Sequence, residues 1–367
     1  MPQSAARLPL RRRFEHACRN TLLRVLRLLL KSRPQPLAAN PPISKLLIVR
    51  TSHNLGDVVM ASAMLDECRA LFPNATVALL ANARLASLFR HHDALDRLFE
   101  FHHRWFLHPF DTLKTIRSIR RERFDLAIDC ANIGVPSLNN WLLTRLSNAT
   151  HRVGFQEKGS DAFLTTTVAT KFDRHFISVQ FHLLTPFASP SAFRLPRLIL
   201  TSEEKNSAET LLSQCPRPRM IIFVPEPRVK CWRLPVFLKV ADALLAQQAS
   251  VVLAFGPRDP QRESEAVRQF VAQRRNHVTV LPPLGLRPFA ATLSQCDLFF
   301  SNDCGPMHLA VAVGTPTVSV FLFANDFAHG YHDGVRHFAV RAETEEQQLE
   351  RALECARMLL RKKSPKP

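Results

Sequence analysis

At 367 residues and 41.6 kDa the chain is long for one hydrophobic core and comfortable for two domains. Hydrophobic residues at 46% and charged ones at 22% exclude a disordered or collagen-like chain. A formal net charge of +18 points to anionic partners: nucleic acid, an acidic membrane face or phosphorylated substrates.

The charge is concentrated at the start. Residues 1–40 hold nine Lys/Arg against one Glu, so +8 of the +18 lies there. Within that arm Leu22, Val25, Leu26, Leu29 and Leu30 recur at helical spacing, interrupted by Arg19, Arg24, Arg27 and Lys31. No apolar run approaches the roughly 20 residues of a membrane span, and Arg24 and Arg27 break the apolar centre that a secretory signal needs. The pattern predicts a basic amphipathic helix lying on an anionic membrane surface, or else packed on the protein's own body. The Pro-rich stretch SRPQPLAANPP closes this arm, set at residues 1–42.

From Lys45 short apolar strands alternate with helical segments. KLLIVR reads as a strand, 57–71 as a helix and ATVALLA as a strand. A helical stretch near 83–90, the helix HPFDTLKTIRSIRRERF and the strand DLAIDC follow. This alternation predicts a parallel sheet covered on both faces. Residues 150–200 give no ordered pattern, and the prolines near 186–196 and 216–218 suggest a hinge. A second series then runs cleanly. A capping box of Thr201 and Glu204 opens a helix, MIIFV is a strand, and Pro235 starts a helix. SVVLAFG is a strand, 260–274 a helix, VTVL a strand and 286–295 a helix; DLFFS, PMHLAVAV and TVSVF complete it. The fold class is therefore α/β, with two Rossmann-like doubly wound domains facing a cleft, at 43–195 and 196–367. Open sheets of this kind bind ligands beyond the carboxyl ends of their strands.

Several classes fall away. No G-x-G-x-x-G and no G-x-x-x-x-G-K-[ST] occurs, which disfavours a dinucleotide dehydrogenase and a Walker-type ATPase. Eight cysteines form no C-x-x-C pair and read as reduced thiols of a cytosolic protein, without a zinc site. The doublets His91-His92 and His102-His103 read as surface histidines rather than metal ligands. A single Tyr and three Trp leave little capacity for stacking on bases, so no nucleic-acid partner is expected.

Two turns carry the chemistry. In LLIVRTSHNLGDVV a buried strand surfaces into Asn54, Gly56 and Asp57; read plainly, Asp57 caps the helix that follows. In SNDCGPMHLAVAVGTP a strand ends at Ser301, a tight turn follows and a small-residue helix begins. Backbone N–H groups at such a start favour a phosphate, Gly305 permits close approach, and His308 lies in the first turn. The plain alternative makes Asp303 the cap.

Together with KCW at 230–232 and FGPRD at 255–259, these motifs resemble glycosyltransferase family 9, the lipopolysaccharide heptosyltransferase family, over about residues 44–330. The resemblance implies the GT-B arrangement and an inverting transfer of heptose from ADP-heptose to the inner core of lipopolysaccharide, without a metal or other cofactor. The absence of Asp-x-Asp agrees with it. It implies Asp57 as the catalytic base on an acceptor-binding first domain, with Gly56 and Asn54 in the acceptor-side loop. It implies Lys230 as the cation that meets the departing diphosphate. Asp303, Cys304, Gly305 and His308 match the donor diphosphate and sugar turn of a nucleotide-sugar-binding second domain. Asp259 or Glu263 would hold the ribose and Leu284 wall the adenine. The partners implied are a nucleotide sugar and an anionic lipid-linked oligosaccharide, met peripherally at the inner face of a Gram-negative cytoplasmic membrane.

The chain departs from the family pattern at Thr51–Asn54, which is one residue longer, and at Cys304, where the family has Thr. It departs again at Pro225-Glu226-Pro227 and at Leu322–Asn325. These leave open a transferase using a different nucleotide sugar, or an inactive basic membrane- or nucleic-acid-binding protein on the same scaffold.

Overall fold

A computed structural model describes residues 41–102, 104–135, 137–227, 229, 231–274 and 277–361. The basic helix anticipated in the arm falls on residues 1–40, outside the described residues.

The first sheet contains β1 (Lys45–Arg50), β2 (Thr76–Asn82), β3 (Arg97–Phe101), β4 (Leu126–Asp129), β5 (His151–Phe155) and β6 (Thr166–Val168). All pairings are parallel, in the order β3-β2-β1-β4-β5-β6. The second sheet contains β7 (Arg219–Val224), β8 (Ser250–Phe255), β9 (Val278–Val280), β10 (Leu298–Asn302), β11 (Thr317–Val320) and β12 (His337–Val340). It is also fully parallel, in the order β12-β11-β10-β7-β8-β9. Counted from its own first strand, each sheet runs 3-2-1-4-5-6. Strand order therefore reverses between β1 and β4 and again between β7 and β10, which opens a crevice at each point.

The helices used below are α1 (Leu55–Leu71), α2 (Pro109–Glu122), α3 (Leu138–Leu146), α4 (Phe176–Phe181), α5 (Ser202–Leu211), α6 (Leu234–Leu245), α7 (Glu265–Ala272), α8 (Leu286–Ser294), α9 (Gly305–Ala312) and α10 (Glu345–Arg361). Central strands such as β1 are buried nearly end to end, as a sheet covered on both faces requires. The capping box at Thr201 and Glu204 forms as read, with Glu204 N–H donating to Thr201 Oγ1 at 3.2 Å.

Three local expectations change. The stretch 260–274 is a 3-10 turn, Pro260–Glu263, followed by α7, because the Ser264 hydroxyl caps a new helix start. The helical stretch near 83–90 is a short turn of α-helix and one of 3-10. Residues 151–168, which gave no pattern, supply β5 and β6; HRVGF hides a buried strand because Arg152 donates to the carbonyls of Phe163 and Ala149.

The core crosses between the sheets. α1 packs on α9, and Val58, Met64, Met307, Leu309 and Ala310 belong to one buried cluster. The segment 191–200 straps both halves. Arg197 bridges Asp66 and Asp93 of the first domain, and Leu198 N–H donates to Ala312 of α9 at 2.8 Å. Arg287 of α8 clasps Glu204 and reaches the Leu88 carbonyl at 3.1 Å. That strap settles one histidine. His92 is 4% exposed rather than on the surface, lying beside Asp66 and Asp93, whose charge Arg197 already meets.

Candidate active site

The turns after β1, β7 and β10 meet at the two switch points and line one cleft of about 530 Å³. Asn54, Gly56 and Asp57 form one lip; Asp303, Cys304, Gly305 and His308 form the other. The two helix starts nearly touch. A Cβ at Gly305 would stand 2.9 Å from Leu55 Cβ, and one at Gly56 would stand 2.6 Å from the His308 ring. Glycine is needed at both positions because no side chain fits, not because the backbone is strained.

Asp57 is not a helix cap. α1 begins at Leu55 with Asn54 in the cap position, which puts Asp57 in the first turn with its carboxylate turned away from the backbone. Oδ2 accepts from Ser52 Oγ at 2.8 Å and from Asn54 Nδ2 at 3.2 Å. Asn132, in the turn after β4, approaches Oδ1 at 3.4 Å, and the Arg50 guanidinium lies 3.4 Å from Oδ2. Burial pushes the carboxyl up, but the Arg50 charge and these three hydrogen bonds outweigh it and hold Asp57 below the usual carboxylate range. It is ionised at neutral pH, and its side chain keeps 14% of its surface toward solvent.

Arg50 is built in from below. Its guanidinium is 2% exposed and donates to the carbonyls of Cys130 and Asp57 and to Asn132 Oδ1. Behind it Asn140 accepts from the Thr51 hydroxyl at 2.5 Å and donates to Val49 O and to Asp129 Oδ1. Burial raises Asp129 to about 6, partly countered by those hydrogen bonds and by Arg50. Sequence reading singled out neither Asn132 nor Asn140. Each acts on a turn 75 or more residues away, and only the β1–β4 pairing could have pointed to them.

A second cavity of about 420 Å³ opens on the other side of Asp57. Ser52, Asn54, Asn132, Val135 and Asn139 line it, so Asp57 belongs to the walls of both cavities.

On the facing lip α9 starts at Gly305, and no side chain caps it. Asp303 is therefore not the cap; its Oδ2 accepts from Asn325 at 3.0 Å. Asn302 is fully buried, donates to Val320 O and accepts the Trp232 N–H at 2.8 Å. This pins Cys231-Trp232 against the cleft, with Cys231 in its wall; Lys230 lies outside the described residues. Burial raises the Cys304 thiol to about 12, and its Sγ sits 3.3 Å from Ser301 Oγ, so the thiol is neutral at ordinary pH. His308 is 4% exposed and pairs through Nδ1 with Tyr331 at 2.8 Å. It serves the contact with Gly56 as well as the cleft wall.

The nucleoside residues do not join the cleft wall. Asp259 is 3% exposed and its carboxylate caps the 260–263 turn through Gln261 N–H at 2.9 Å. Glu263 is exposed on that turn, and Leu284 packs against the core. Glu226, from the turn after β7, lines the cleft instead.

Residues 112–356 match glycosyltransferase family 9 (heptosyltransferase). The chain is 24% identical over 286 residues to lipooligosaccharide heptosyltransferase 2 of Haemophilus influenzae, covering 73% of this chain and 80% of that protein. The solved family 9 glycosyl transferase of Veillonella parvula superposes with a TM-score of 0.75 at 20% identity, over 89% of this chain and all of that one. E. coli heptosyltransferase WaaC with ADP-2-deoxy-2-fluoro heptose superposes at 0.62 and 17% identity, over 87% of this chain and all of that one. Two parallel Rossmann-like sheets in the GT-B arrangement, and a family match over two-thirds of the sequence, lead to one conclusion: the chain belongs to glycosyltransferase family 9 and is a glycosyltransferase.

Proposed function

We propose that the protein transfers a heptose from ADP-heptose to the inner core of lipopolysaccharide, with inversion. The observation that carries this reading is the place of Asp57. An ionised carboxylate stands on the wall shared by two cavities, opposite an uncapped helix start. The names of its relatives, heptosyltransferases of lipooligosaccharide and a WaaC complex with an ADP-heptose analogue, support the donor.

The donor diphosphate rests at the α9 start, where backbone N–H groups and the positive end of the helix meet its charge. Gly305 brings the α9 start against the first lip, Cys304 and His308 flank the phosphate, and Asp303, oriented by Asn325, faces the sugar. Lys230 supplies the fixed cation. The acceptor enters through the second cavity, with Gly56 and Asn54 at its edge. The acceptor hydroxyl oxygen attacks the anomeric carbon from the face opposite the diphosphate. The bond from that carbon to the phosphate oxygen breaks with its electrons leaving on ADP, and the hydroxyl proton passes to Asp57. A carboxylate held this acidic is a weak base toward a ground-state alcohol; it becomes adequate only as the attacking oxygen gains positive charge. Asp259 holds its turn through Gln261, and Glu226 joins Asp303 among the carboxylates of the cleft wall.

The basic surface suits an anionic lipid-linked acceptor at the inner face of a Gram-negative cytoplasmic membrane. No described helix is long and apolar enough to cross a membrane. Incubation with ADP-heptose and a truncated core acceptor should release ADP, and Asp57→Ala or Lys230→Ala should abolish the release. Release with another nucleotide sugar but not ADP-heptose would overturn the donor. No turnover with any nucleotide sugar would overturn the whole reading.

A further inference from the structure

Four large exposed hydrophobic side chains fall within nine residues of one another: Trp105 at 47%, Leu107 at 59%, Phe110 at 84% and Leu113 at 43%. Single exposed apolar residues are ordinary, but four so close together in the chain point to a contact surface. The run opens α2, whose inner face is spent: Ile119 is buried, Ile116 packs with it against the core of the first sheet, and Thr115 Oγ1 donates to the Glu100 carbonyl. At 3.6 residues per turn Phe110, Leu113, Lys114, Arg117 and Arg121 share the opposite face. All five are exposed, and Arg104 stands exposed beside Trp105.

Apolar side chains at one end of a helix and a row of cations along the same face fit an interface whose outer layer is anionic and whose interior is hydrocarbon. The position agrees. β3 and β4 are both parallel members of the first sheet, so α2 begins at the carboxyl end of the strands, the end that carries Asp57. β3 lies two strands from β1, about 10 Å across the sheet.

We propose that residues 104–121 dock the protein on an anionic lipid bilayer, with Trp105, Leu107, Phe110 and Leu113 entering the headgroup boundary. This rests on the proposed reaction of a lipid-anchored acceptor, and it presents the acceptor cavity to the layer that holds that acceptor. The basic residues 1–40 would then add attraction to a surface the folded domain already recognises.

The chain supplies its own probe. Trp141 and Trp232 are each 2% exposed, which leaves Trp105 as the solvent-facing tryptophan. Full-length protein is titrated with vesicles of phosphatidylglycerol and phosphatidylethanolamine while tryptophan emission and sedimentation are followed. Emission should shift to the blue as the protein binds, and Trp105→Phe should abolish the shift. Phe110→Ser with Leu113→Ser should weaken binding about tenfold, and Arg117→Ala about fivefold. Met358→Ser, at a half-exposed apolar residue on α10, should change nothing. Turnover on a soluble truncated acceptor should be normal in all these variants, which separates this test from the transferase reading. Sedimentation without a Trp105 shift, undiminished binding of the Phe110/Leu113 variant, or equal binding to phosphatidylcholine vesicles would overturn the proposal.

Discussion

The turns Thr51–Asp57 and Asn302–Gly305 do the same structural job and opposite chemistry. Each follows a central strand at the point where strand order reverses, and each delivers a helix start to the cleft. In the first, hydroxyl, amide and guanidinium donors converge on a carboxylate, so that the lip carries a negative charge fixed in place. Neither helix start has a capping side chain, but the second has no acidic residue in its first turn, so its backbone donors face no fixed negative charge there. In the proposed reaction one local fold thus furnishes a proton acceptor on one side and an anion cradle on the other. What stands in the first helical turn decides which.

The largest effect should come from emptying the first turn of charge. Asp57→Asn keeps the shape and removes the proposed base, and kcat should fall about 10²- to 10⁴-fold with ADP affinity unchanged by calorimetry. A fall in ADP affinity of the same size would show that the two lips do not divide the work as described.

Arg50→Met removes the buried partner of that carboxylate. Asp57 is held low in the folded enzyme, so losing Arg50 should move the acid limb of the kcat–pH profile to higher pH. Stability should drop by about 3 kcal/mol in urea unfolding, since a partly buried charge loses its partner. An unmoved acid limb would mean that Asp57 is not the titrating group.

The contact between the lips can be wedged open. Gly56→Ala places a methyl group 2.6 Å from the His308 ring and should cost about 1–3 kcal/mol of stability as well as activity. An active, equally stable variant would show that the helix starts can part freely.

Acid should weaken the second lip in particular, because a buried imidazole, His175, packs beneath it. His308 pairs with Tyr331, and Tyr331 packs on His175 at 5.1 Å. Burial, then the neighbouring His308 and His329, lower His175 to about 3 from an ordinary 6.5. Its folded value is depressed, so the unfolded chain takes up the proton first. Stability should therefore fall as pH drops from 6.5 toward 3, by at most about 1.4 kcal/mol per pH unit from this group. His337, lowered to about 4 by burial, adds to the same slope. His175→Phe should flatten the profile in thermal melts at stepped pH. Tyr331→Phe, which removes one hydrogen bond to His308, should cost about 1 kcal/mol and is the smallest of these effects.

Much of this comparison was legible before any fold was seen. β1 and β10 read from their apolar runs, and Gly56 and Gly305-Pro306 read as the punctuation where strands become helices. The proposed roles of Asp57 and Asp303 came from the resemblance of those turns to the family's motifs. Both could equally have been caps, and only the helix starts at Leu55 and Gly305 separate the possibilities. β5 and β6 were not legible, because a strand carrying buried Arg152 has no apolar periodicity until its carbonyl partners are known. Asp259 looked like a ribose ligand by motif; its carboxylate is taken by the turn it caps.

The sequence by itself determined the alternation of strand and helix and the turns at the strand ends, because apolar spacing and turn chemistry act over a few neighbouring residues. The tertiary structure alone decided the company each turn keeps. Asn132 reaches Asp57 through the β1–β4 pairing, and His308 reaches Gly56 through the packing of α1 on α9. The protonation of a carboxylate and the fit of a glycine depend on what lies within a few ångströms in space, and part of that company comes from distant stretches of the chain.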